Sequence, residues 1–216
     1  MRVALVNPAW DYEGSIYFGC REPHLPLELG YAAALLRQRG HEALLIDGHL
    51  AGMGNSQIAQ SVAGFAPDLT VVTTAPTYLF WRCPPPELRV PADLIRQLDR
   101  AGGRIVAVGP HGSTTPRAAL RKLGADIVVR GECEEIVARL ADGDAPSAIP
   151  SVAYLSDGEL VVTGGPHASG FVGHPPLEWP QEWLAGHRHH HHRFDAPPDG
   201  PGAEVEASRG CPFACS

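Results

Sequence analysis

The stretch LPLELGYAAALLRQRGHEALLID, residues 25–47, indicates the fold class most directly. Its first part spaces apolar residues as on one side of a helix and ends at Gly40, a residue type that commonly stops helices. Its second part, HEALLID, is a short apolar run, and RVALVN at residues 2–7 is another. Such runs, without regular polar alternation, are typical of strands buried on both faces. They predict a strand–helix–strand unit with two parallel strands.

The same succession of strand and helix patterns continues to residue 143. Further strands are predicted at residues 69–74, 104–109 and 125–131, with helical patterns after each strand. Five such units indicate the α/β class, with a doubly wound, five-stranded parallel sheet and the flavodoxin-like strand order 2-1-3-4-5. Ligands of such sheets bind beyond the carboxyl ends of the strands, so the loops after the strands are the candidate binding segments.

The character of the chain changes after residue 150. We expect residues 1–150 to form the Rossmann-like domain, and residues 151–165 to add a β-hairpin around an Asp-Gly turn. Residues 166–203 are rich in Pro, His and Gly and are predicted to be a linker. Residues 204–216 begin as a strand, and we expect them to start a second domain that is mostly absent from this chain.

Composition excludes several classes of function. The net charge is -7 with no cluster of Lys and Arg, so we expect no nucleic-acid partner. No apolar stretch approaches the roughly 20 residues that cross a bilayer, so no membrane partner is expected. The apolar start of the chain is too short for a signal peptide and soon meets Asp11 and Glu13. These observations predict a cytoplasmic protein.

The loop after the first strand, NPAWDYEGSIYFG at residues 7–19, is long and aromatic. It lacks the GxGxxG pattern, which disfavours dinucleotide binding, and the chain has no GxxxxGK[ST] phosphate loop. A loop of this kind is suited to covering a large flat ligand, or to packing against a neighbouring domain. After the fourth strand, VGPHGS places Gly109 and Gly112 around Pro110 and His111, which permits close approach of a ligand or forms an ordinary strand-to-helix loop.

Residues 47–52, DGHLAG, match the DxHxxG pattern by which many cobalamin-binding domains supply a histidine to cobalt. In that pattern the Asp orients the imidazole. The motif of those domains follows the first strand, whereas this one follows the second. An ordinary loop position is therefore favoured for His49 over a role as cobalt ligand.

Two further polar stretches have an interpretation as binding sites and a plainer one. In RGECEE, Glu132 is suited to accepting hydrogen bonds from a ligand, or the acidic residues simply occupy the first turn of a helix. Cys133 in that stretch is predicted to be a small buried side chain. The His-rich segment at residues 187–192 is predicted to be a solvated linker that binds divalent metal only adventitiously.

The chain ends in EASRGCPFACS at residues 206–216, with Cys211 and Cys215 four positions apart. In a reducing compartment such a close pair favours metal ligation over a disulfide. The stretch resembles the start of the radical S-adenosylmethionine domain, in which a CxxxCxxC motif holds a [4Fe-4S] cluster. The resemblance implies that Cys211 and Cys215 are two of three thiolate ligands, and that the third cysteine lies beyond Ser216.

The upstream motifs, in order and spacing, are similar to the cobalamin-binding N-terminal domain of the cobalamin-dependent branch of that superfamily. They are VNPAW, PLELGYAAALLRQRGHEALLID, VVTTAPTYL, VAVGPHGSTTP, GADIVVRGECEE and IPSVAYLSDGELV. The resemblance implies that nine residues contact cobalamin. Asn7 and Pro8 would lie beside the corrin, Thr73 and Thr74 would bind the nucleotide tail, Gly109, Pro110 and His111 would line its channel, and Gly131 and Glu132 would close the far side.

The resemblance also implies an activity for the complete protein. The cluster would cleave S-adenosylmethionine to a 5'-deoxyadenosyl radical, and methylcobalamin would pass its methyl group to the resulting substrate radical. The small-molecule substrate would be selected by the barrel that follows this domain, so we expect these 216 residues alone not to be catalytic. Two alternatives stay open: a radical cyclase or oxidoreductase that retains the fold without using cobalamin, and a non-enzymatic module that binds a small ligand.

Overall fold

The computed structural model describes residues 1–11, 23–76, 88–166, 173–186, 203 and 205–206. Within these ranges, seven strands form one sheet in the order β2-β1-β3-β4-β5-β6-β7. The strands are β1 (Arg2–Asn7), β2 (Glu42–Asp47), β3 (Leu69–Thr73), β4 (Arg104–Val108), β5 (Ile127–Val129), β6 (Val152–Ser156) and β7 (Glu159–Thr163). The helices are α1 (Leu27–Gln38), α2 (Asn55–Phe65), α3 (Arg89–Leu98), α4 (Pro110–Thr114), α5 (Pro116–Leu123), α6 (Glu134–Asp142) and α7 (Gln181–Gly186).

The sheet lies between two helical layers, which explains the absence of polar alternation in its central strands. Along β1, Val3 and Leu5 belong to the core shared with α1 and α6, whereas Ala4 and Val6 belong to the core shared with α2, α3 and α5. Because successive side chains of a strand point to opposite faces, both faces of β1 must be apolar. This burial confirms the doubly wound arrangement.

The first five strands pair in parallel in the predicted order 2-1-3-4-5. The predicted hairpin is also present, and both residues of its turn, Asp157 and Gly158, have positive φ, as a type I′ turn requires. The sheet nevertheless has seven strands rather than five, because β6 pairs antiparallel with β5. This pairing covers the outer edge of β5, whose backbone groups would otherwise be unpaired.

Two short helices lie where the sequence indicated irregular segments. Residues 110–114, expected to be a loop, form α4, which begins with Pro110 after Gly109 at φ 121°. Within the predicted linker, residues 181–186 form α7. The preceding Trp179 packs on Gly30 of α1 so closely that a Cβ at Gly30 would overlap the indole ring. The linker boundaries at residues 166–203 stay a prediction.

A helix that crosses a bilayer must be both long and apolar, and the helices of the described ranges are short. None of them is long and apolar enough to span a membrane.

Candidate functional site

Three polar residues meet where β1, β2 and β3 end. Asn7 and Asp47 are register partners as the last residues of β1 and β2, and Thr73 ends β3. The Asn7 Nδ2 donates to Asp47 Oδ1 at 3.0 Å, and the Thr73 hydroxyl donates to Asn7 Oδ1 at 3.0 Å. All three side chains are buried. We call them the Asn7 cluster; it lies at the point where the strand order reverses, between β1 and β3.

The Asn7 cluster also holds the start of the long loop after β1. The indole Nε1 of Trp10 donates to Asn7 Oδ1 at 2.7 Å, so this oxygen accepts two hydrogen bonds. Pro8, directly after the strand, is buried. The Asn7 amide therefore fixes Trp10 to the sheet edge, next to Asn7 and Pro8, the residues predicted to flank a corrin.

Asp47 is almost completely buried, at 1% exposure, and one of its oxygens serves two chain segments. Its Oδ1 accepts from Asn7 and from the backbone N–H of Leu50 at 3.0 Å, while Oδ2 has no hydrogen-bond partner among the described residues. Burial raises the pKa of Asp47 to about 6, against the opposing effect of hydrogen bonds from Leu50, Asn7 and the His49 backbone. The pKa of the Asp47 carboxyl thus lies well above the usual range of an aspartate.

The turn after β2 packs tightly against the end of β1. The Gly48 N–H donates to the Asn7 carbonyl at 2.9 Å. A Cβ at Gly48 would overlap the end of the Ile58 side chain and would lie 3.0 Å from the Ala9 nitrogen, so a larger residue would require Ile58 to move. His49 is half-buried in this turn, at the same edge as the Asn7 cluster. The Asp47 carboxylate accepts a hydrogen bond from the backbone N–H of Leu50 in this turn, a contact that the DxHxxG pattern did not indicate.

A second polar group lies across the ends of β3, β4 and β5. Thr74 donates its backbone N–H to the Val108 carbonyl at 2.8 Å, and its hydroxyl lies 3.2 Å from Nδ1 of His111. His111 is held there by α4, because Gly112 packs directly on Val128 of β5 and a Cβ at this position would overlap that side chain. Gly109 lies directly before α4, and Pro110 is the first residue of this helix.

The end of β5 completes this second group. The Gly131 N–H donates to the Ser113 hydroxyl at 2.8 Å, and Gly131 has φ 86°, a conformation that favours glycine. Glu132 lies half-buried before α6, which begins at Glu134, so Glu132 is not part of the helix. Cys133 is buried, as predicted.

The structure therefore brings the predicted residues into two neighbouring groups joined by the consecutive residues Thr73 and Thr74. Two residues of these groups, Asp47 and Ser113, were not among the predicted binding residues, and Trp10 was considered only as part of the aromatic loop that could cover a flat ligand. The signal for Asp47 was its place at a strand end, but the motif directed attention to His49. Cys211 and Cys215 lie outside the described residues, within which no group of three or more His, Cys, Asp and Glu side chains is arranged to hold a metal.

A groove of about 530 Å³ lies elsewhere, between α5 and β7. Its lining includes Arg117, Arg121, Lys122 and Leu160, and it shares no residue with the two polar groups. Arg117 is already within 3.6 Å of the Glu159 carboxylate.

The fold and its polar carboxyl edge define a doubly wound, ligand-binding α/β domain. The B12 binding domain family matches residues 20–141, more than half of the chain. The chain belongs to this family, which confirms the identification as a cobalamin-binding domain made from the sequence.

Individual proteins with related sequences or folds are larger. The chain is 27% identical over 220 residues to the uncharacterized methyltransferase PH0819 of Pyrococcus horikoshii, and the alignment covers 100% of the chain and 44% of that protein. The chain thus spans less than half the length of this relative.

Solved structures share the fold. The radical S-adenosylmethionine methyltransferase TsrM from Kitasatospora setae, with cobalamin and a [4Fe-4S] cluster bound, has TM-score 0.58 and 23% identity over 76% of this chain and 30% of that one. The cobalamin-dependent radical enzyme OxsB, with aqua-cobalamin and S-adenosylmethionine bound, has TM-score 0.56 and 20% identity over 77% of this chain and 22% of that one.

Proposed function

We propose that this chain holds cobalamin at the carboxyl edge of its sheet and is the cofactor-binding module of a radical S-adenosylmethionine methyltransferase. The observation that carries the proposal is the family match over residues 20–141, which includes the ends of β2, β3, β4 and β5. These ends carry the two polar groups, at the edge where sheets of this kind bind their ligands.

The chemistry of this edge fits the cofactor. Cobalamin presents amide side chains around the corrin and a phosphate in its nucleotide tail, and both require hydrogen-bonding partners. The edge carries the half-buried imidazole of His111, which lies 3.2 Å from the buried hydroxyl of Thr74. At Gly109 and Gly131, positive φ and the missing Cβ allow the backbone to approach a ligand closely. When bound, cobalamin supplies a methyl group that is carried on cobalt.

The proposed placement of each residue follows the two polar groups. The Asn7 cluster fixes the start of the β1 loop, so Asn7 and Pro8 lie beside the corrin. Thr73 and Thr74 are proposed to bind the nucleotide tail, Gly109, Pro110 and His111 to line its channel, and Gly131 and Glu132 to close the far side. We do not assign His49 to cobalt.

The second part of the proposal concerns the complete protein. It is supported by the full-length alignment of this chain with a relative named as a methyltransferase, and by the CxxxC pair at Cys211 and Cys215. We propose these thiolates as cluster ligands, with the substrate, a small molecule, bound by the domain that follows. The role of this chain within that protein is to hold and orient cobalamin.

Binding of hydroxocobalamin by the 216-residue chain tests the first part. We expect stoichiometric uptake, measured as visible absorbance that stays with the protein through gel filtration. Two glycine variants provide a test and its control. Gly112→Val should displace α4 and His111 and therefore weaken uptake of hydroxocobalamin. Gly64→Val, on the exposed side of α2, should leave the uptake unchanged. No retained absorbance with the folded wild-type chain would contradict the proposal.

A further inference from the structure

The Asn7 amide sits between two kinds of partner. On its oxygen side are two donors, the Thr73 hydroxyl and the Trp10 indole N–H. On its nitrogen side is an acceptor, Oδ1 of Asp47. A carboxamide has similar shape in its two flipped orientations, so the partners around it decide which orientation is adopted.

We propose that Asp47 is a positioning residue, which fixes the orientation of the Asn7 amide and through it holds Trp10 at the ligand-binding edge. An ionised carboxylate accepts hydrogen bonds only, so it selects the Nδ2 side of Asn7. A flipped amide would place its NH2 group against the indole N–H of Trp10, where two donors would meet. Asp47 excludes that orientation at the strand end, 40 residues away in sequence from the residue it orients.

The same oxygen of Asp47 serves a second purpose. Oδ1 also accepts the Leu50 N–H that closes the turn after β2, so one atom joins the β1 loop to the β2 turn. Oδ2 takes part in neither contact and has no partner in the described part of the chain. The positioning function therefore needs the Oδ1 acceptor but not the second carboxylate oxygen.

This division between the two oxygens gives a specific variant series. Asp47→Ala removes the oxygen that accepts from Asn7 and Leu50. Asp47→Asn keeps an acceptor oxygen at the Oδ1 position and replaces only Oδ2, the atom without a hydrogen-bond partner in the described part of the chain, by an NH2 group. Asp68→Ala is the matched control, because Asp68 likewise accepts a backbone N–H, from Arg2, but at the opposite edge of the sheet.

The first readout needs no ligand. The indole N–H resonance of Trp10, assigned by its loss in Trp10→Phe, reports the hydrogen bond to Asn7 through its shift and its protection from solvent exchange. We expect Asp47→Ala to lower this protection about tenfold, Asp47→Asn to restore most of it, and Asp68→Ala to leave it unchanged. Unchanged protection in folded Asp47→Ala would overturn the inference, as would a loss in Asp47→Asn equal to that in Asp47→Ala.

The second readout rests on the proposed function and uses hydroxocobalamin. We expect Asp47→Ala to weaken binding about tenfold in the wild-type background and much less in an Asn7→Ala background, where only the contact with the Leu50 N–H remains to be lost. Additive effects would overturn the inference. If Asp47→Ala does not fold, Thr73→Val removes one donor to Asn7 Oδ1 instead and should lower Trp10 protection; no change would count against the inference.

The two readouts keep this inference distinct from the proposed function. A wild-type chain that binds no hydroxocobalamin contradicts the proposed function, while the Trp10 resonance still decides whether Asp47 orients Asn7.

Discussion

Asn7 and Asp47 face each other in register at the ends of β1 and β2, and the Asn7 amide donates to Asp47 Oδ1 at 3.0 Å. Both are at most 4% exposed. Burial penalises the charge of the Asp47 carboxyl, and the hydrogen bond from Asn7 offsets only part of that penalty, with consequences for the stability of the domain.

Asp47 should make stability fall as pH rises through the slightly acidic range. The pKa of Asp47 is raised from 3.8 to about 6, so between these values the folded state binds more protons than the unfolded state. The free energy of unfolding therefore loses up to about 3 kcal/mol from this group between pH 4 and pH 7. In urea unfolding, Asp47→Asn should gain stability relative to wild type over that interval. A difference that is constant with pH would contradict the assignment.

Asp142 should act in the opposite direction. Its pKa is lowered by hydrogen bonds from His41 and Arg39, which join the end of α1 to α6. A lowered pKa contributes stability that is present above about pH 4 and lost as pH falls below it. Because the Asp142 side chain is 39% exposed, we expect Asp142→Asn to lower the unfolding free energy at pH 7 by no more than about 1 kcal/mol.

Salt provides the control for Asp142. The difference between wild type and Asp142→Asn should shrink in 1 M NaCl, because partly exposed pairs are screened. A difference that persists in full at high salt would count against an electrostatic origin.

Gly112 should be intolerant of any side chain. A Cβ at this position would overlap Val128, so α4 would shift on β5 and carry His111 away from Thr74. We expect Gly112→Ala to cost about 1–3 kcal/mol of unfolding free energy. In contrast, Gly64→Ala in α2 meets nothing within 4 Å and should be neutral or stabilising, since alanine favours helices. Equal effects of the two substitutions would show that Val128 does not constrain α4.

The chain by itself should not cleave S-adenosylmethionine. Cys211 and Cys215 supply two thiolates, fewer than the three that the CxxxCxxC motif provides. After anaerobic reconstitution with iron and sulfide, we expect no 5'-deoxyadenosine by chromatography and mass spectrometry. A protein that contains this domain together with a complete CxxxCxxC motif should produce it and should transfer a labelled methyl group to product. Sustained production of 5'-deoxyadenosine by the 216-residue chain would contradict this prediction.

The five parallel strands were predictable because each is a short apolar run with a helix after it, and these signals are local; their order was predicted as the common order of flavodoxin-like sheets. The pairing of β6 with β5 was not, since an edge pairing depends on which strand is last in the finished sheet. The Pro and two Gly of GPHGST indicate a loop, yet packing of Gly112 on Val128 stabilises a helical turn there.

In the candidate site, too, contacts between residues that are distant in sequence could not be predicted from local patterns. Strand-end positions directed attention to Asn7, Thr73 and Thr74, and their contact with cobalamin stays a prediction. The hydrogen bond from Asn7 to Asp47 joins residues 40 positions apart, and only the strand order makes them neighbours. The role of Ser113 likewise depends on the contact of α4 with the end of β5.

The location of the cofactor is the central claim, and hydrogen–deuterium exchange with and without hydroxocobalamin tests it most directly. We expect slower exchange in peptides that contain the ends of β1 to β5, residues 7–11, 47–53, 73–76, 109–113 and 130–133. Peptides from the opposite edge, such as residues 39–42 and 124–126, should not change. Protection confined to that opposite edge, or to the groove along α5, would contradict the account.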